Sequence, residues 1–285
     1  MRTKGDIIMP DIEKEIHGAV FTFFSTASAV GKTLLSCNMA SELARQQKRV
    51  CLVDFDLQFG DVCNYLQLLP QRTLADVQQS MLMQGENCHV EEYLTPYEYG
   101  GVVFYVLAAP KKLEEAYNIQ SDYAIRAIRQ LQTKFDYVIV DTTSMFSVLN
   151  LALLDLSTIV TFLGIVDFIP TIKNMKIGSD TLNDLNYDKH KIRMVLNRSN
   201  AKTRIGIDDV EKLLGEPFYH ILPNDFRAAS QSIKEGIPLV LKQERTELGE
   251  ALRDLVARYT NQGYEESEEG MDDYVGESWL SRIFG

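Results

Sequence analysis

The chain has 285 residues, long for one domain but ordinary for an open α/β sheet, and its 45% hydrophobic content supplies a large core beside 24% charged residues. A net charge of −11 argues against broad electrostatic attraction to DNA or to an anionic membrane, so nucleic acid is not an expected partner. Cys37, Cys51, Cys63 and Cys88 form no CxxC pair and read as reduced thiols, and Cys88-His89 has no further ligand spacing for a metal.

The first residues, Met1 to Pro10, carry charge but no continuous apolar region, so they do not read as a secretory signal. The apolar run Ala19–Phe24 reads as a buried strand. It is followed by Ser25-Thr26-Ala27-Ser28-Ala29-Val30-Gly31-Lys32-Thr33 and then by an amphipathic helix over Leu34–Ala44. Strand, loop, Gly-Lys-Thr, helix is the context in which backbone N–H groups and a helix N-terminus hold phosphates. Lys32 would reach the β- and γ-phosphates and the Thr33 hydroxyl would bind Mg²⁺. The full signature starts with glycine, where this chain has Thr26.

Arg49–Asp54 reads as a second strand, and Thr73–Met83 as a helix that Thr73 can cap. Val102–Leu107 is a third strand, Asp122–Phe135 a helix and Tyr137–Asp141 a central strand. Further strands are expected at Thr158–Val166, Ile192–Leu196 and Tyr219–Leu222, with helices between them and at Asp225–Glu235 and Thr246–Tyr259. Thr158–Val166, the longest apolar run, is about half a transmembrane span, so the expected location is cytoplasmic unless something attaches the protein to a surface. Continuous apolar strands separated by helices mean a doubly wound, mostly parallel α/β sheet covered on both faces. The expected organisation is an N-terminal extension (1–17), one nucleotide-binding domain (18–262), an acidic linker (263–277) and an apolar terminal peptide (278–285). Between Glu265 and Glu277 there are seven acids and no Lys or Arg, the composition of a solvated, disordered segment.

Three acids fall at strand ends, where ligands of open parallel sheets sit. Asp54 and Asp56 follow the second strand, and Asp141 closes Val138-Ile139-Val140 in the form of the acid that orients a Mg²⁺ shell. The plain alternative for any one of them is a loop cap.

In order and spacing, Gly31-Lys32-Thr33, Asp54-x-Asp56, Val138–Asp141, Leu196-Asn197-Arg198 and Leu222-Pro223-Asn224-Asp225 resemble the MinD/ParA class of ATPases. The runs Asp54–Asp61 and Leu222–Leu239 are more similar still to the TadZ/CpaE branch, which works in assembly and polar placement of Flp-type (Tad) pili. The resemblance covers roughly residues 18 to 260. It implies ATP and Mg²⁺ as ligands, with the loop Thr26, Ala27, Ser28, Ala29, Val30, Gly31, Lys32, Thr33 and Leu34 around the phosphates. It further implies Thr33, Asp56 and Asp141 at the metal, with Asp56 placing the attacking water. Asn197, with Arg198, would sit at adenine, and Pro223 and Asn224 in a loop closing over the base. An ATP-dependent homodimer and pilus or secretion machinery are the implied partners, and a slow ATPase the implied activity. The rival readings are a non-hydrolysing localisation scaffold and a division-site or DNA-partitioning ATPase.

Two departures bear on catalysis. The class has Lys-Gly-Gly where this chain has Ala27-Ser28-Ala29, so the lysine that crosses a dimer to the partner's phosphates is missing. Loss of that cation would lower turnover by orders of magnitude. Thr142-Thr143-Ser144 replaces the usual proline after the strand-end acid. Their hydroxyls either meet Mg²⁺-bound waters or cap the next helix, the cap being preferred. The branch also usually has a receiver-like domain before the ATPase, while fewer than twenty residues precede the first strand here.

The octapeptide Ser278–Gly285 holds the only tryptophan. Trp279, Leu280, Ile283 and Phe284 share one face at helical spacing and resemble the membrane-targeting tail of MinD. They would give weak contact with the inner face of the cell membrane, strengthened in a dimer, unless they fold back onto the domain or dock on a partner.

Overall fold

The computed structural model describes residues 18–167, 169–199 and 206–262. The N-terminal extension, the acidic linker and the terminal octapeptide with Trp279, Leu280, Ile283 and Phe284 lie outside the described residues.

Among these residues the chain runs β1 (Ala19–Phe24), α1 (Lys32–Arg45), β2 (Val50–Phe55), α2 (Val62–Leu66), α3 (Leu74–Gln84), β3 (Thr95–Tyr99) and β4 (Val102–Leu107). It continues through α4 (Leu113–Tyr117), α5 (Ser121–Lys134), β5 (Tyr137–Thr142), α6 (Val148–Leu156), β6 (Ile159–Gly164) and α7 (Ile169–Asp184). It closes with β7 (Ile192–Leu196), α8 (Ile207–Leu214), β8 (His220–Ile221), α9 (Phe226–Glu235) and α10 (Glu247–Gln262). The eight strands form one sheet in the order β3-β4-β2-β5-β1-β6-β7-β8, parallel except for the β3–β4 pair. The doubly wound α/β expectation holds.

Strand β3 is an addition to the sequence reading. Its residues, Thr95-Pro96-Tyr97-Glu98-Tyr99, alternate and carry a proline, both marks of an edge strand rather than a buried one. Strand alternation sorts the apolar residues into two faces. On β2, Val50 and Leu52 pack with α1 and α10, while Cys51, Val53 and Phe55 pack with α3 and α5. Across β6, Val160 and Phe162 face α7 and α8. Strand order reverses at β1, which lies between β5 and β6, so the loop after β1 opens into the crevice where such sheets hold ligands.

Two helix starts show how the sequence sets its boundaries. Thr73 donates its N–H and Oγ1 to the Asp76 carboxylate at 2.7 and 3.1 Å, as the sequence led one to expect of a cap. The cap of α6, however, is Ser147, whose Oγ accepts from the Asn150 N–H at 3.1 Å. The preferred capping role for Thr142–Ser144 is therefore corrected. Thr142 remains in the strand and donates to the Phe23 carbonyl, and the helix begins four residues beyond Ser144.

Candidate nucleotide site

The loop between β1 and α1 turns sharply onto the helix. Gly31 takes φ +104°, and a Cβ there would lie 2.6 Å from Asn197 Nδ2, so both backbone and space demand glycine. Ala29 takes φ +57°, a left-handed conformation retained without the glycine usual in the class. At the other end, the methyl of Thr26 lies against Gly178 of α7, where an added Cβ would approach it to 2.4 Å. The bulk gained at Thr26 is accommodated by the absence of a side chain on the facing helix.

Lys32 is buried and turned along the loop. Its Nζ donates to Ser144 Oγ at 2.7 Å and to Ser25 Oγ at 3.2 Å. Burial lowers its pKa, opposed by the nearby charges of Asp141 and Asp56. Ser144 also donates to the Ala27 carbonyl at 2.9 Å, and Ser25 to the same carbonyl at 2.8 Å. Sequence reasoning missed both serines as lysine partners. Ser144 carried a signal as one of the hydroxyls replacing the usual proline, whereas Ser25 stood at the head of the loop run with no role assigned to its hydroxyl.

Thr33 Oγ1 donates to Asp141 Oδ2 at 2.6 Å. The other oxygen, Asp141 Oδ1, is buried and has no hydrogen-bond partner among the described residues. Desolvation pushes this carboxyl up to about 7, against the Thr33 hydrogen bond and the Lys32 charge, which act the other way. Asp54 is its register neighbour on β2 and is likewise raised well above the carboxylate range, by burial first and by Asp141 second. The Asp54 carboxylate accepts from the Asp56 and Val62 N–H groups, so it is the acid that caps its own loop. Asp56 is half-buried on the cavity wall, its pKa raised by burial and lowered by Lys32.

A hydroxyl and a partnerless buried carboxylate oxygen, beside a buried lysine, form an oxygen-donor set suited to a hard dication and incomplete without one. A cavity of about 610 Å³ opens over them. Asp56 and Asp61 border it on one side and Thr143–Met145 on the other, and Ser28, Ala29, Gly31, Lys32, Thr33 and Leu34 form its floor.

The remaining expected residues lie elsewhere. Val30 is part of the core. Ala27 contributes its carbonyl to the two serines. Asn197 is buried, donates Nδ2 to the Val30 carbonyl at 2.8 Å and accepts from the Arg198 N–H at 2.9 Å, so its amide supports the loop from behind. Arg198 donates to the Ala29 carbonyl at 3.1 Å. Pro223 and Asn224 follow β8, and the Ser199 N–H donates to the Leu222 carbonyl at 3.0 Å, which joins the Asn197–Ser199 turn to that loop. These four residues form a second cluster, separate from the lining of the cavity.

A glycine-turned loop on a helix N-terminus, at the reversal point of a parallel sheet, with lysine, threonine and a strand-end acid converging, defines a phosphate-loop nucleotide-binding protein. The chain belongs to the CobQ/CobB/MinD/ParA nucleotide-binding family (CbiA), that of the MinD/ParA-type ATPases, whose profile matches residues 21–239. The septum site-determining protein MinD of Synechocystis is 25% identical over 245 residues, covering 84% of this chain and 88% of that protein. The antiactivator FleN of Pseudomonas aeruginosa is 31% identical over 115 residues, 40% of this chain and 39% of FleN. Among solved structures, a ParA family ATPase from Chlorobium tepidum superposes with a TM-score of 0.76 at 20% identity, covering 84% of this chain and 98% of the other. MinD of Pyrococcus horikoshii, solved with Mg-ADP, gives 0.71 at 17% identity over 85% and 95%.

Proposed function

We propose that this protein is a Mg·ATP-binding switch of MinD/ParA type that dimerises around nucleotide, hydrolyses it slowly, and positions or assembles Flp/Tad-type pilus machinery. The observation that carries the nucleotide reading is the Thr33–Asp141 pair with its partnerless carboxylate oxygen, set beside Lys32 beneath an open cavity. Mg²⁺, when bound, would be held by Thr33 and Asp141 and would supply positive charge against that developing on the transferred group. Thr33 and Asp141 hold the metal side of the site. Lys32 exchanges the hydroxyls of Ser25 and Ser144 for phosphate oxygens, and Asp56 orients the attacking water from the cavity wall. Release of Ser144 by Lys32 links the loop before α6 to the state of the site. The pilus assignment rests on the Asp54–Asp61 and Leu222–Leu239 runs. Asn197, Arg198, Pro223 and Asn224 are proposed to flank the base, on the strength of the same family pattern.

A second reading, a non-hydrolysing localisation scaffold, is favoured by one feature. Ala27 offers no cation, and its backbone carbonyl is taken up by Ser25 and Ser144. The two readings separate in an ATP-turnover assay run beside a nucleotide titration. Lys32→Ala removes a charged hydrogen-bond donor worth about 1.5–3 kcal/mol, roughly a 10- to 100-fold loss of ATP affinity. Equal affinities for the two proteins would end the nucleotide reading. Binding without turnover would select the scaffold.

A further inference from the structure

An apolar groove of about 350 Å³ runs between α7 and α8, and its lining shares no residue with the nucleotide cavity. Ile172 and Val210 form its floor, and Ile169, Ile177 and Leu213 line it with 71%, 51% and 50% of their surfaces exposed. Side chains of this size left open on adjacent helices mark a docking surface. We propose that the occupant is the chain's own C-terminal peptide, with Trp279, Leu280, Ile283 and Phe284 seated between the two helices.

The exit point, the tether and the charge pattern all favour this occupant. Near its end, helix α10 reaches the β8 edge of the sheet, where Arg258 bonds the carbonyl of Tyr219 just before β8, while Tyr259 OH lies 2.9 Å from Thr161 Oγ1 on β6. The residue before Tyr219, Phe218, donates its N–H to Glu211 of α8 at 2.9 Å, so the last described helix finishes one short connection from the groove's own wall. Residues 263–277 then supply a tether that extends to about 50 Å. A domain of this length has a radius of gyration of about 19 Å, so the tether passes readily from one face of the sheet to the other.

The tether carries seven acids and no Lys or Arg. On the groove rim Lys173 makes no ion pair among the described residues, Lys176 pairs only with Asp180, and Asp209 is matched by Lys212. The rival exposed patch, Phe59, Met145 and Ile233, shares its rim with Asp56 and Asp61, which repel an acidic tether. Tethering also makes modest affinity sufficient, since covalent attachment to the domain holds the peptide at an effective concentration on the order of millimolar.

Trp279 is the chain's only tryptophan and reports its own surroundings. In the full chain, without nucleotide or lipid, its emission should be blue-shifted and protected from acrylamide relative to the free peptide Ser278–Gly285. Ile177→Asp and Leu213→Asp alter exposed side chains, leave the circular dichroism spectrum unchanged, and should shift the emission to that of the free peptide. Leu69→Asp, an exposed site elsewhere, should leave it in place. Free-peptide emission in the wild-type chain overturns the proposal. So does a blue shift insensitive to both groove variants, one that grows with protein concentration and marks a second copy, or one that forms only with phosphatidylglycerol vesicles. None of these readings depends on whether nucleotide binds.

Discussion

Replacing Asp141 by Asn should stabilise the nucleotide-free protein, and by an amount that depends on pH. Asn keeps an oxygen for the Thr33 hydroxyl and removes a charge from a site where burial has raised the carboxyl from 3.8 to about 7. Between those values the native carboxyl holds its proton while the unfolded one has lost it. The native state therefore loses stability as the pH rises from about 4 to about 7, with no slope from this group outside that window. At about 1.4 kcal/mol per pH unit, the wild-type penalty is on the order of 2 kcal/mol at pH 5 and on the order of 4 kcal/mol at pH 8. Relief of Asp54, whose own pKa is raised by Asp141, acts in the same direction. Urea unfolding of both proteins in EDTA at pH 5 and pH 8 measures the difference. The Asn variant should gain about 2–3 kcal/mol more over wild type at pH 8 than at pH 5. With Mg·ATP added, the wild-type protein should gain stability and the Asn variant should not. An offset that is the same at both pH values, or a variant less stable at pH 8, would refute the assignment of a strained buried carboxylate to Asp141.

Other outcomes follow from the loop. Ala29→Gly relieves a left-handed alanine, worth about 1–2 kcal/mol, against an unfolded-state entropy cost of about 0.4–1 kcal/mol, so chemical denaturation should show a net gain of about 0.5–1 kcal/mol. Gly178→Ala should cost about 1–3 kcal/mol by overpacking against Thr26 and Phe162, and Thr26→Gly should recover part of that loss in the double variant. A double variant no more stable than Gly178→Ala alone would remove the Thr26 contact from the account. Ala27→Lys with Gly at positions 28 and 29 should raise ATP turnover above wild type in a phosphate-release assay. Rapid turnover by the unaltered protein, abolished by Asp56→Ala, would show that the missing lysine does not limit catalysis.

The sequence by itself determined the parallel α/β architecture, because continuous apolar strands separated by amphipathic helices have few ways to bury both faces. It also singled out Lys32, Thr33 and Asp141, because the chain order strand, loop, Gly-Lys-Thr, helix and the acid after Val138–Val140 are local patterns with local causes. The convergence of Asp141 on Thr33 was inferred from strand ends, and the sheet realises it by laying β5 beside β1. What only the tertiary structure decided depends on residues far apart in the chain. Ser144 proved to be a partner of Lys32 rather than a helix cap, because Ser147 caps α6 and leaves the Ser144 hydroxyl facing the loop. The room for Thr26 comes from Gly178, 152 positions later, and no spacing rule reads a steric complement across that distance. Strand β3 escaped notice because an edge strand needs only one buried face, so its pattern is short and interrupted by Pro96. Periodicity and motif spacing record what neighbours along the chain must do, whereas hydrogen-bond partners and packing volumes are set by which elements the sheet brings together.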